Sequence, residues 1–417
     1  MYVSHKTRVG IFFACKYWLR IEQKERTTKA RSDFVKITEV RTTHLAKPID
    51  NPVTDSTLLQ TVRDIILVEI RTDDGLTGIG FITALGACNG SEGPVLKYCI
   101  DKTLAPMLIG KDPLAREQIW EEMFRRTTRF GRKGAMIKAL SAVDIALWDL
   151  AGKYANLPVY KLIGYNNPNV RVYASGGYYN PDNPMDISET VNTIHSYVEA
   201  GYPAIKMKVG GLSVRQDIER VTKIREAVGN SIQIMVDANQ NWNVVEAVRF
   251  CDAARDLDIG FVEEPLPPDD FDGYMELSRR TNIPLAAGET ENTKYGFLDL
   301  IKRCGVRVLN NDVTRTGGVT EWKKVTSLAQ CWNLPVIPHG IQEIHVSLCA
   351  TSPNCPMTEY FMPDHPIQQF ISEFFVEVAP GMKVIDGCIH PVDVPGLALG
   401  YDTDLYKRFT VSSEIIK

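Results

Sequence analysis

The hydrophobic and polar positions of residues 170–362 form a repeated pattern, in which a short apolar run is followed by a segment with helical spacing. The runs cover residues 170–175, 204–209, 232–238, 259–264, 284–289, 307–313, 335–339 and 358–362. In one intervening segment, Ile218, Val221 and Ile224 are three and four residues apart, as on one face of a helix. Strands and helices that alternate in this way predict an α/β fold with a parallel sheet, and eight strands predict closure into a TIM-type barrel.

The region before the barrel has a different pattern, which predicts an α+β domain over residues 34–165. Strand-like runs on both sides of an Asp-Asp-Gly sequence that ends at Gly75 predict a β-hairpin. Residues 137–151 carry apolar side chains at helical spacing, and we expect Gly152 to end this helix.

Two segments of the α+β domain, residues 47–55 and 83–93, are rich in glycine, proline and polar residues and are predicted to be loops. Loops of this kind can cover a pocket that another domain builds. The barrel domain spans residues 166–375, and residues 376–417 contain short strands that we expect to fold back on the α+β domain. Residues 1–33 are a basic extension without periodicity, which predicts a poorly ordered tail.

Composition limits the classes of partner. The chain has 417 residues, of which 44% are hydrophobic and 24% charged, and its net charge of −4 offers no basic field for nucleic acid. No uninterrupted apolar run approaches the roughly 18 residues that a membrane span needs. The nine cysteines are odd in number and include no C-x-x-C pair, which favours reduced thiols and a cytoplasmic location.

Acidic side chains stand at the carboxyl ends of three successive predicted strands. These are Asp237, Glu263 and Glu289. Neighbouring barrel strands end at one mouth, so the three carboxylates converge there and would repel one another unless a divalent cation neutralised them. Ligation by oxygen alone favours Mg²⁺, with Mn²⁺ as the nearest substitute. Glu264 adjoins this set, but strand alternation is expected to turn it out of the barrel.

Two lysines share the second predicted strand. Lys206 and Lys208 are two residues apart, so both side chains point to one face, which in a barrel is the interior. Either each lysine is paired with a buried carboxylate, or one of them is a general base whose pKa is lowered by its neighbour and by a metal. The spacing alone does not choose between these roles.

Further candidate catalytic residues lie at the carboxyl ends of the last three predicted strands. Asp312 and His339 are placed for a hydrogen bond that would fix the imidazole tautomer and make a catalytic dyad, with a satisfied core histidine as the alternative. Glu359 is expected to donate a hydrogen bond to a substrate oxygen if it stays protonated. Asn239 and His345 are candidate substrate-binding residues, and a structural role is the alternative for each.

This arrangement suits the removal of a proton next to a carboxylate. The lysines and the histidine would face a bound substrate from opposite sides, with the metal ligands between them, and a divalent cation would stabilise the enediolate charge. Return of a proton from the opposite face gives racemisation or epimerisation. Protonation of a neighbouring hydroxyl gives loss of water.

The motifs, in this order, resemble those of the enolase superfamily, and specifically its mandelate racemase subgroup. The resemblance covers nearly the whole chain from residue 34. It rests on K-x-K at Lys206, D-x-N at Asp237, E-E-P at Glu263, G-E at Glu289 and the Asp, His and final Glu that follow. It implies a modified (β/α)₇β barrel, an N-terminal capping domain that supplies substrate specificity, and a symmetric homo-oligomer, often of eight chains.

The resemblance also implies individual roles. The ligands of Mg²⁺ would be Asp237, Glu263 and Glu289. Lys208 matches the lysine base, Lys206 the lysine that assists at the substrate carboxylate, and His339 with Asp312 the opposite acid or base. Glu359 matches the electrophilic donor. Members of the subgroup with both the two lysines and the dyad are similar to dehydratases of acid sugars.

The leading hypothesis from the sequence is therefore a Mg²⁺-dependent dehydratase of carbohydrate acid catabolism, which converts an aldonate or aldarate into a 2-keto-3-deoxy acid. Lys208 or His339 takes the α-proton, and His339 protonates the departing 3-hydroxyl. A racemase or epimerase of a 2-hydroxy acid that uses the same residues is the alternative. A barrel that only binds sugar acids is the alternative from outside the enzymes.

Overall fold

An antiparallel sheet begins the described part of the chain. The structure, a computed structural model, describes residues 35–87 and 90–417, so the predicted extension of residues 1–33 lies outside the described residues. The first strands of this sheet are β1 (Ile37–Thr54), β2 (Leu59–Thr72), β3 (Thr77–Ala87) and β4 (Gly90–Ser91). The predicted hairpin joins β2 to β3, and Gly75 turns the chain with a φ of 89°, which glycine adopts without steric cost.

The two segments predicted as loops are largely strands, which corrects that expectation. Residues 47–54 continue β1, which pairs with β2 as far as Pro48 and again from Val53. The residues between these two pairs form an irregularity in the ladder, where proline is tolerated. Residues 83–87 continue β3. Pairing with the neighbouring strand β2 outweighs the local composition, because each backbone pair satisfies polar groups that a loop would leave to water.

Helices cover one face of this sheet. They are α1 (Gly93–Cys99), α2 (Arg116–Gly131), α3 (Ala135–Ala155) and α4 (Val159–Ile163), and a π-helical turn at Ile100–Leu104 extends α1. Helix α3 does not end at Gly152 as predicted; it ends at Ala155 and is capped by Asn156, whose φ is 53°. Gly152 instead allows α3 to pack closely against Gly396, because a Cβ at position 152 would lie 2.7 Å from the Cα of Gly396.

A parallel sheet curls into the predicted barrel. Its strands are β5 (Val170–Ser175), β6 (Ala204–Lys208), β7 (Gln233–Asp237), β8 (Ile259–Glu263), β9 (Leu285–Ala287), β10 (Val308–Leu309) and β11 (Thr358–Tyr360). Neighbouring strands follow the order β10-β9-β8-β7-β6-β5-β11. The seventh predicted strand is present only as a single parallel bridge between Val336 and Leu309.

Helices alternate with the barrel strands as predicted. They are α5 (Ser188–Glu199), α6 (Val214–Val228), α7 (Val244–Ala253), α8 (Phe271–Arg280), α9 (Thr293–Arg303), α10 (Val313–Thr316), α11 (Gly318–Cys331), α12 (Gln342–Cys349) and α13 (Gln369–Phe374). A last helix, α14 (Thr403–Phe409), lies beyond the barrel strands and contacts β1. The start of α6 shows why helices begin where they do. Ser213 and Gln216 cap each other's backbone N–H groups, which would otherwise have no acceptor at the helix start.

The end of the chain joins both sheets. Strand β12 (Cys388–Ile389) pairs antiparallel with β5, and β13 (Thr410–Ile416) pairs antiparallel with β1, with Val40 opposite Ile416. The first sheet therefore has the strand order β13-β1-β2-β3-β4.

One apolar side chain from each of seven barrel positions fills the interior. This interior layer consists of Tyr173, Ala204, Met235, Phe261, Ala286, Val308 and Ile337. A filled interior makes the barrel a packed core, so that polar chemistry is confined to its ends.

The cysteines within the described residues form no disulfide bridge. Seven cysteines lie within the described residues, and all seven are free thiols, as predicted. Cys15 and Cys88 lie outside that part of the chain. Among the described residues, no helix combines the length and the hydropathy that a bilayer crossing requires.

Candidate active site and metal centre

Strand alternation carries the polar site residues to the carboxyl end of the barrel. Lys206, Asp237, Glu263 and His339 each follow a member of the interior layer by two residues. Residues two apart on a strand point to the same face, so these side chains also point into the barrel, one step nearer its mouth. Backbone pairing then aligns neighbours: Asp237 lies directly opposite Glu263 in the β7–β8 ladder.

Three buried carboxylates converge as the sequence predicts. One ligand oxygen each from Asp237, Glu263 and Glu289 lies within 4.8 Å of the other two. Among the described residues, Oε1 of Glu263 and Oε2 of Glu289 accept no hydrogen bond, and Oε2 of Glu289 has only an ion pair of 3.3 Å with Nε2 of His339. A buried anionic oxygen that accepts no hydrogen bond is unfavourable by roughly several kcal/mol, so these two atoms fit a bound divalent cation. The residues present therefore suit an oxygen-ligated metal such as Mg²⁺.

The two lysines are ion-paired within the barrel. Nζ of Lys206 lies 2.7 Å from Oε2 of Glu263 and 2.8 Å from Oε1 of Glu359. Nζ of Lys208 lies 2.6 Å from Oδ2 of Asp237. Burial opposes the ammonium charge, but the carboxylates outweigh it and raise the pKa of both lysines well above the ordinary value. These carboxylates are the ones that would bind the metal, so the lowering of a lysine pKa expected beside a bound metal stays a prediction.

Asp312 and His339 form the predicted pair. Nδ1 of His339 lies 2.9 Å from Oδ2 of Asp312, and the other ring nitrogen, Nε2, lies 3.3 Å from Oε2 of Glu289. Burial opposes a charged ring, but Glu289 and the bond to Asp312 raise the pKa of His339 overall. Burial disfavours the Asp312 anion, but His339 and Arg315 hold its pKa well below the ordinary value. Asp312 is thus the fixed acceptor, and Nε2 is the nitrogen that faces the carboxylate cluster.

Glu359 is held as a hydrogen-bond acceptor, and its expected donation to a substrate oxygen stays a prediction. Its Oε2 accepts a hydrogen bond of 2.6 Å from the backbone N–H of Gly340. Burial favours the neutral acid, but Lys206 and His339 outweigh burial and lower the pKa of Glu359 to about 2. An ionised carboxylate only accepts hydrogen bonds.

The two candidate substrate-binding residues have different outcomes. His345 is fully buried: its Nε2 accepts from the N–H of Val313 at 3.0 Å, and its Nδ1 lies 2.6 Å from the carbonyl oxygen of Gly340. Both ring nitrogens are occupied by backbone groups, so the expected substrate contact is wrong and the packing alternative holds. Asn239 donates its backbone N–H to Oδ1 of Asp237 at 3.0 Å, and its side-chain Oδ1 is buried without a partner. Substrate contact by Asn239 stays a prediction.

Glu264 lies beside the carboxylate cluster. Its φ of 37° breaks the strand alternation on which the outward orientation was predicted. Its carboxylate is buried and accepts hydrogen bonds from Gln240 at 2.5 Å and from Thr290 at 2.8 Å. Burial and the nearby charge of Glu289 raise the pKa of Glu264 to about 8. These contacts fit the structural role expected of Glu264, which supports residues that flank two metal ligands, and its orientation out of the barrel stays a prediction.

Sequence reasoning missed two side chains at the site. Nε of Arg315 lies 3.4 Å from Oδ2 of Asp312, and its Nη1 donates to the backbone oxygen of Glu289 at 3.1 Å. The position of Arg315, three residues beyond Asp312, was an available signal. The ring of Tyr178 lies 5.1 Å from Nζ of Lys208, and no local pattern indicated it.

Comparison with known proteins agrees with the site. The model of the mandelate racemase / muconate lactonizing enzyme N-terminal domain matches residues 37–164, and the enolase C-terminal domain-like model matches residues 189–405. Arabinonate dehydratase of Saccharolobus solfataricus is 33% identical over 354 residues, which are 84% of this chain and 91% of the relative. The 3,6-anhydro-alpha-L-galactonate cycloisomerase of Streptomyces coelicolor is 33% identical over 376 residues, which are 90% of this chain and 99% of the relative.

A solved structure shows the same fold with a metal in place. L-talarate dehydratase from Polaromonas sp. JS666, complexed with Mg and L-glucarate, superposes with a TM-score of 0.79 at 31% identity, over 92% of this chain and 99% of that protein. Family models and relatives therefore agree over both the sheet domain and the barrel. The chain belongs to the mandelate racemase / muconate lactonizing enzyme family of the enolase superfamily.

Proposed function

We propose that this enzyme is a Mg²⁺-dependent dehydratase of a sugar acid, which removes the α-proton and the 3-hydroxyl group and releases a 2-keto-3-deoxy acid. The proposal depends on one observation: two side chains that can transfer protons, Lys208 and His339, flank the carboxylate cluster. Lys208 contacts Asp237 at 2.6 Å, and His339 lies 3.3 Å from Glu289. The dehydratases among the relatives support loss of water as the outcome.

Asp237, Glu263 and Glu289 would hold Mg²⁺, which would supply positive charge to stabilise the negative charge that develops on the substrate carboxylate. Lys206 is held by Glu263 and Glu359, which fixes a second positive charge beside that carboxylate. These fixed charges favour the enediolate over the ground state, because only the enediolate carries the additional negative charge.

Proton transfer falls to Lys208 and His339. Either is placed to take the α-proton, as the neutral amine or through Nε2 of the imidazole. Asp312 binds Nδ1 of His339, so the ring exchanges its proton at Nε2. With Asp312 as the acceptor at Nδ1, the imidazolium form of His339 would donate its Nε2 proton to the departing 3-hydroxyl.

A panel of aldonates and aldarates tests the proposal. The holoenzyme is incubated with each acid in D₂O, and 2-keto acid and deuterium at the α-carbon are both measured. We expect a 2-keto acid from at least one substrate, and its formation to be lost in Lys208→Ala and His339→Asn. A variant that exchanges the α-proton but makes no keto acid has lost the acid for the 3-hydroxyl and kept the base.

A racemase or epimerase is the second candidate, because groups on two sides of the substrate carbon also permit proton return from the opposite face. Such an enzyme exchanges the α-proton and makes no 2-keto acid. The cycloisomerase relative adds a third outcome, in which the product keeps the mass of the substrate. Absence of keto acid from the whole panel would overturn the dehydratase proposal.

A further inference from the structure

The strand β2 of the N-terminal sheet presents one face to the barrel side of the core. Ile65 and Leu67 belong to the apolar cluster that contains the barrel strands, whereas Ile66 and Val68 belong to the cluster of the N-terminal sheet and its helices. Side chains alternate along a strand, so Arg63 shares the face of Ile65 and Leu67. The sheet domain therefore directs an arginine towards the barrel.

Arg63 differs from its neighbour across the ladder. Lys47 lies opposite Arg63 in the β1–β2 pairing and makes an ion pair of 3.0 Å with Glu373. The Nε of Arg63 is buried without an acceptor, and the guanidinium makes no hydrogen bond or ion pair with any residue that the structure describes. The residue as a whole is only partly buried, so its outer nitrogens remain accessible. A partly desolvated cation without a partner is unfavourable unless a ligand supplies the acceptor.

Charged and polar groups of the proposed site contribute to the electrostatic environment of Arg63. They include Tyr178, whose ring covers Lys208, and Asp312 of the dyad. Arg315 and Glu343 complete the set, and burial is the main reason why the pKa of Arg63 falls to about 10. Arg63 therefore lies within the field of groups on both sides of the proposed reaction centre.

The chain that leads into β2 is docked on the barrel mouth. Oγ of Ser56 donates to the backbone oxygen of Ala238 at 2.6 Å, next to the ligand Asp237. The backbone N–H of Tyr179 donates to the oxygen of Thr54 at 2.9 Å. These contacts fix the sheet domain above the mouth, with Arg63 four residues into the strand that follows.

We propose that Arg63 binds the distal carboxylate of the substrate, and that the substrate is accordingly an aldarate, a sugar acid with a carboxylate at each end. This rests on the proposed function, in which the other carboxylate lies at the metal cluster. A guanidinium matches a carboxylate with two parallel hydrogen bonds, and the anion neutralises the cation. The terminal hydroxymethyl group of an aldonate leaves the charge of Arg63 unbalanced.

Glu343 offers the competing explanation for Arg63. Its Oε2 is buried without a partner, and its Oε1 accepts from Gln368 at 2.6 Å. Burial raises the pKa of Glu343 to about 7, and the field of Arg63 opposes that rise. If Arg63 served only to neutralise the charge of Glu343, its loss would destabilise the protein and lower kcat/KM equally for all substrates.

A matched pair of substrates separates these explanations. Galactarate and galactonate have the same configuration along the chain and differ only in the distal group. The kcat and KM of the holoenzyme are measured for both, and for further pairs of other configuration. In Arg63→Met we expect kcat/KM for the aldarate to fall by at least about 30-fold, mainly through KM, and that for the aldonate to change less than about threefold.

Controls keep the outcome specific. Arg71→Met removes an exposed arginine from the same strand and should leave both substrates unchanged. Arg63→Lys should restore part of the aldarate activity, since it keeps the charge and loses the fork. Glu343→Gln, combined with Arg63→Met, should restore activity only if Arg63 balances Glu343.

Three results would overturn the assignment. They are an equal loss for both members of a pair in Arg63→Met, recovery in the double variant with Glu343→Gln, and a wild-type enzyme that dehydrates aldonates and no aldarates. The last result leaves the proposed dehydratase intact. Absence of keto acid from every sugar acid instead removes the proposed function itself.

Discussion

Asp237 holds together two parts of the site, since it is both a predicted ligand and the partner of a lysine. Its Oδ2 pairs with Lys208, and its Oδ1 accepts from the backbone of Asn239. The residue is fully buried, so its charge has no solvent to replace these partners. A substitution that keeps the shape of Asp237 and removes its charge therefore tests the role of the charge alone.

Asp237→Asn keeps the shape and removes the charge. We expect the affinity for Mg²⁺ to fall at least about 100-fold. Loss of a residue that only hydrogen-bonds to a metal ligand already lowers metal affinity by about 10–100-fold, and Asp237 is itself a proposed ligand. Calorimetric titration of metal-free protein measures this affinity. Asp252→Asn, at an exposed position, is the control. Full activity of the wild-type enzyme after removal of metal by a chelator would contradict the metal role.

At the scale of elements, His345 of α12 joins the two chain segments that carry the dyad. One ring nitrogen binds the backbone of Val313, next to Asp312, and the other faces the carbonyl of Gly340, next to His339. Burial lowers the pKa of His345, which keeps the ring neutral and able to donate at one nitrogen and accept at the other. The seventh barrel position pairs with its neighbour through a single bridge. The ring of His345 therefore helps to hold the segments of Val313 and Gly340 in place, as a longer strand would do.

His345→Ala should therefore leave two backbone groups unpaired. We expect the free energy of unfolding to fall by about 2–4 kcal/mol and kcat to fall more than KM changes. Chemical denaturation and steady-state kinetics measure the two effects. His195→Ala, on an exposed face of α5, is the matched control. A His345→Ala variant with raised KM and unchanged kcat would indicate the substrate contact that the packing argues against.

At the scale of the whole molecule, Asp144 connects α3 of the sheet domain to α11 of the barrel. It accepts from the N–H and the hydroxyl of Thr320, at 2.8 Å and 2.7 Å. Burial raises the pKa of Asp144 to about 7, although the bonds from Thr320 oppose the rise. Between the ordinary aspartate value and about pH 7, the folded protein keeps a proton that the unfolded chain has lost.

Stability should therefore fall as pH rises through this interval, because unfolding releases the proton. We expect Asp144 to contribute a loss on the order of a few kcal/mol between about pH 5 and pH 8, and Asp144→Asn, which stays neutral, to remove that part of the slope. Denaturation curves at the two pH values measure it, with the exposed Asp404→Asn as control. A slope that persists in Asp144→Asn would assign the pH dependence to other groups.

The C-terminal strand is the second whole-molecule feature. Strand β13 pairs with residues 40–45 of β1, and Oγ of Ser413 lies 3.0 Å from Oγ1 of Thr43. Truncation after Phe409 exposes this edge of the sheet, and exposed edges promote aggregation. We expect the melting temperature to fall by at least about 5 °C. Differential scanning fluorimetry checks this against a chain shortened only by Lys417, and an unchanged melting temperature would contradict it.

The assembly is a further property of the whole molecule. The symmetric homo-oligomer implied by the resemblance stays a prediction, as do the domain boundaries.

The sequence by itself determined the barrel and the convergence of its charges. Strand alternation and the common mouth of parallel strands are local and topological rules, so Asp237, Glu263 and Glu289 could be brought together from their positions alone. The dyad of Asp312 and His339 followed from the same rules. These inferences needed only spacing along the chain.

The tertiary structure decided what depends on neighbours distant in sequence. The ionised state of Glu359 requires Lys206, the buried orientation of Glu264 requires a left-handed backbone, and the full use of His345 requires Val313. The loops that became strands depended on pairing with β2. That no described residue binds the guanidinium of Arg63 becomes apparent only when the two domains are seen together. Residues that are distant in sequence and close in space set the charge and the exposure of these side chains. The spacing of residues along the chain does not reveal which residues those are.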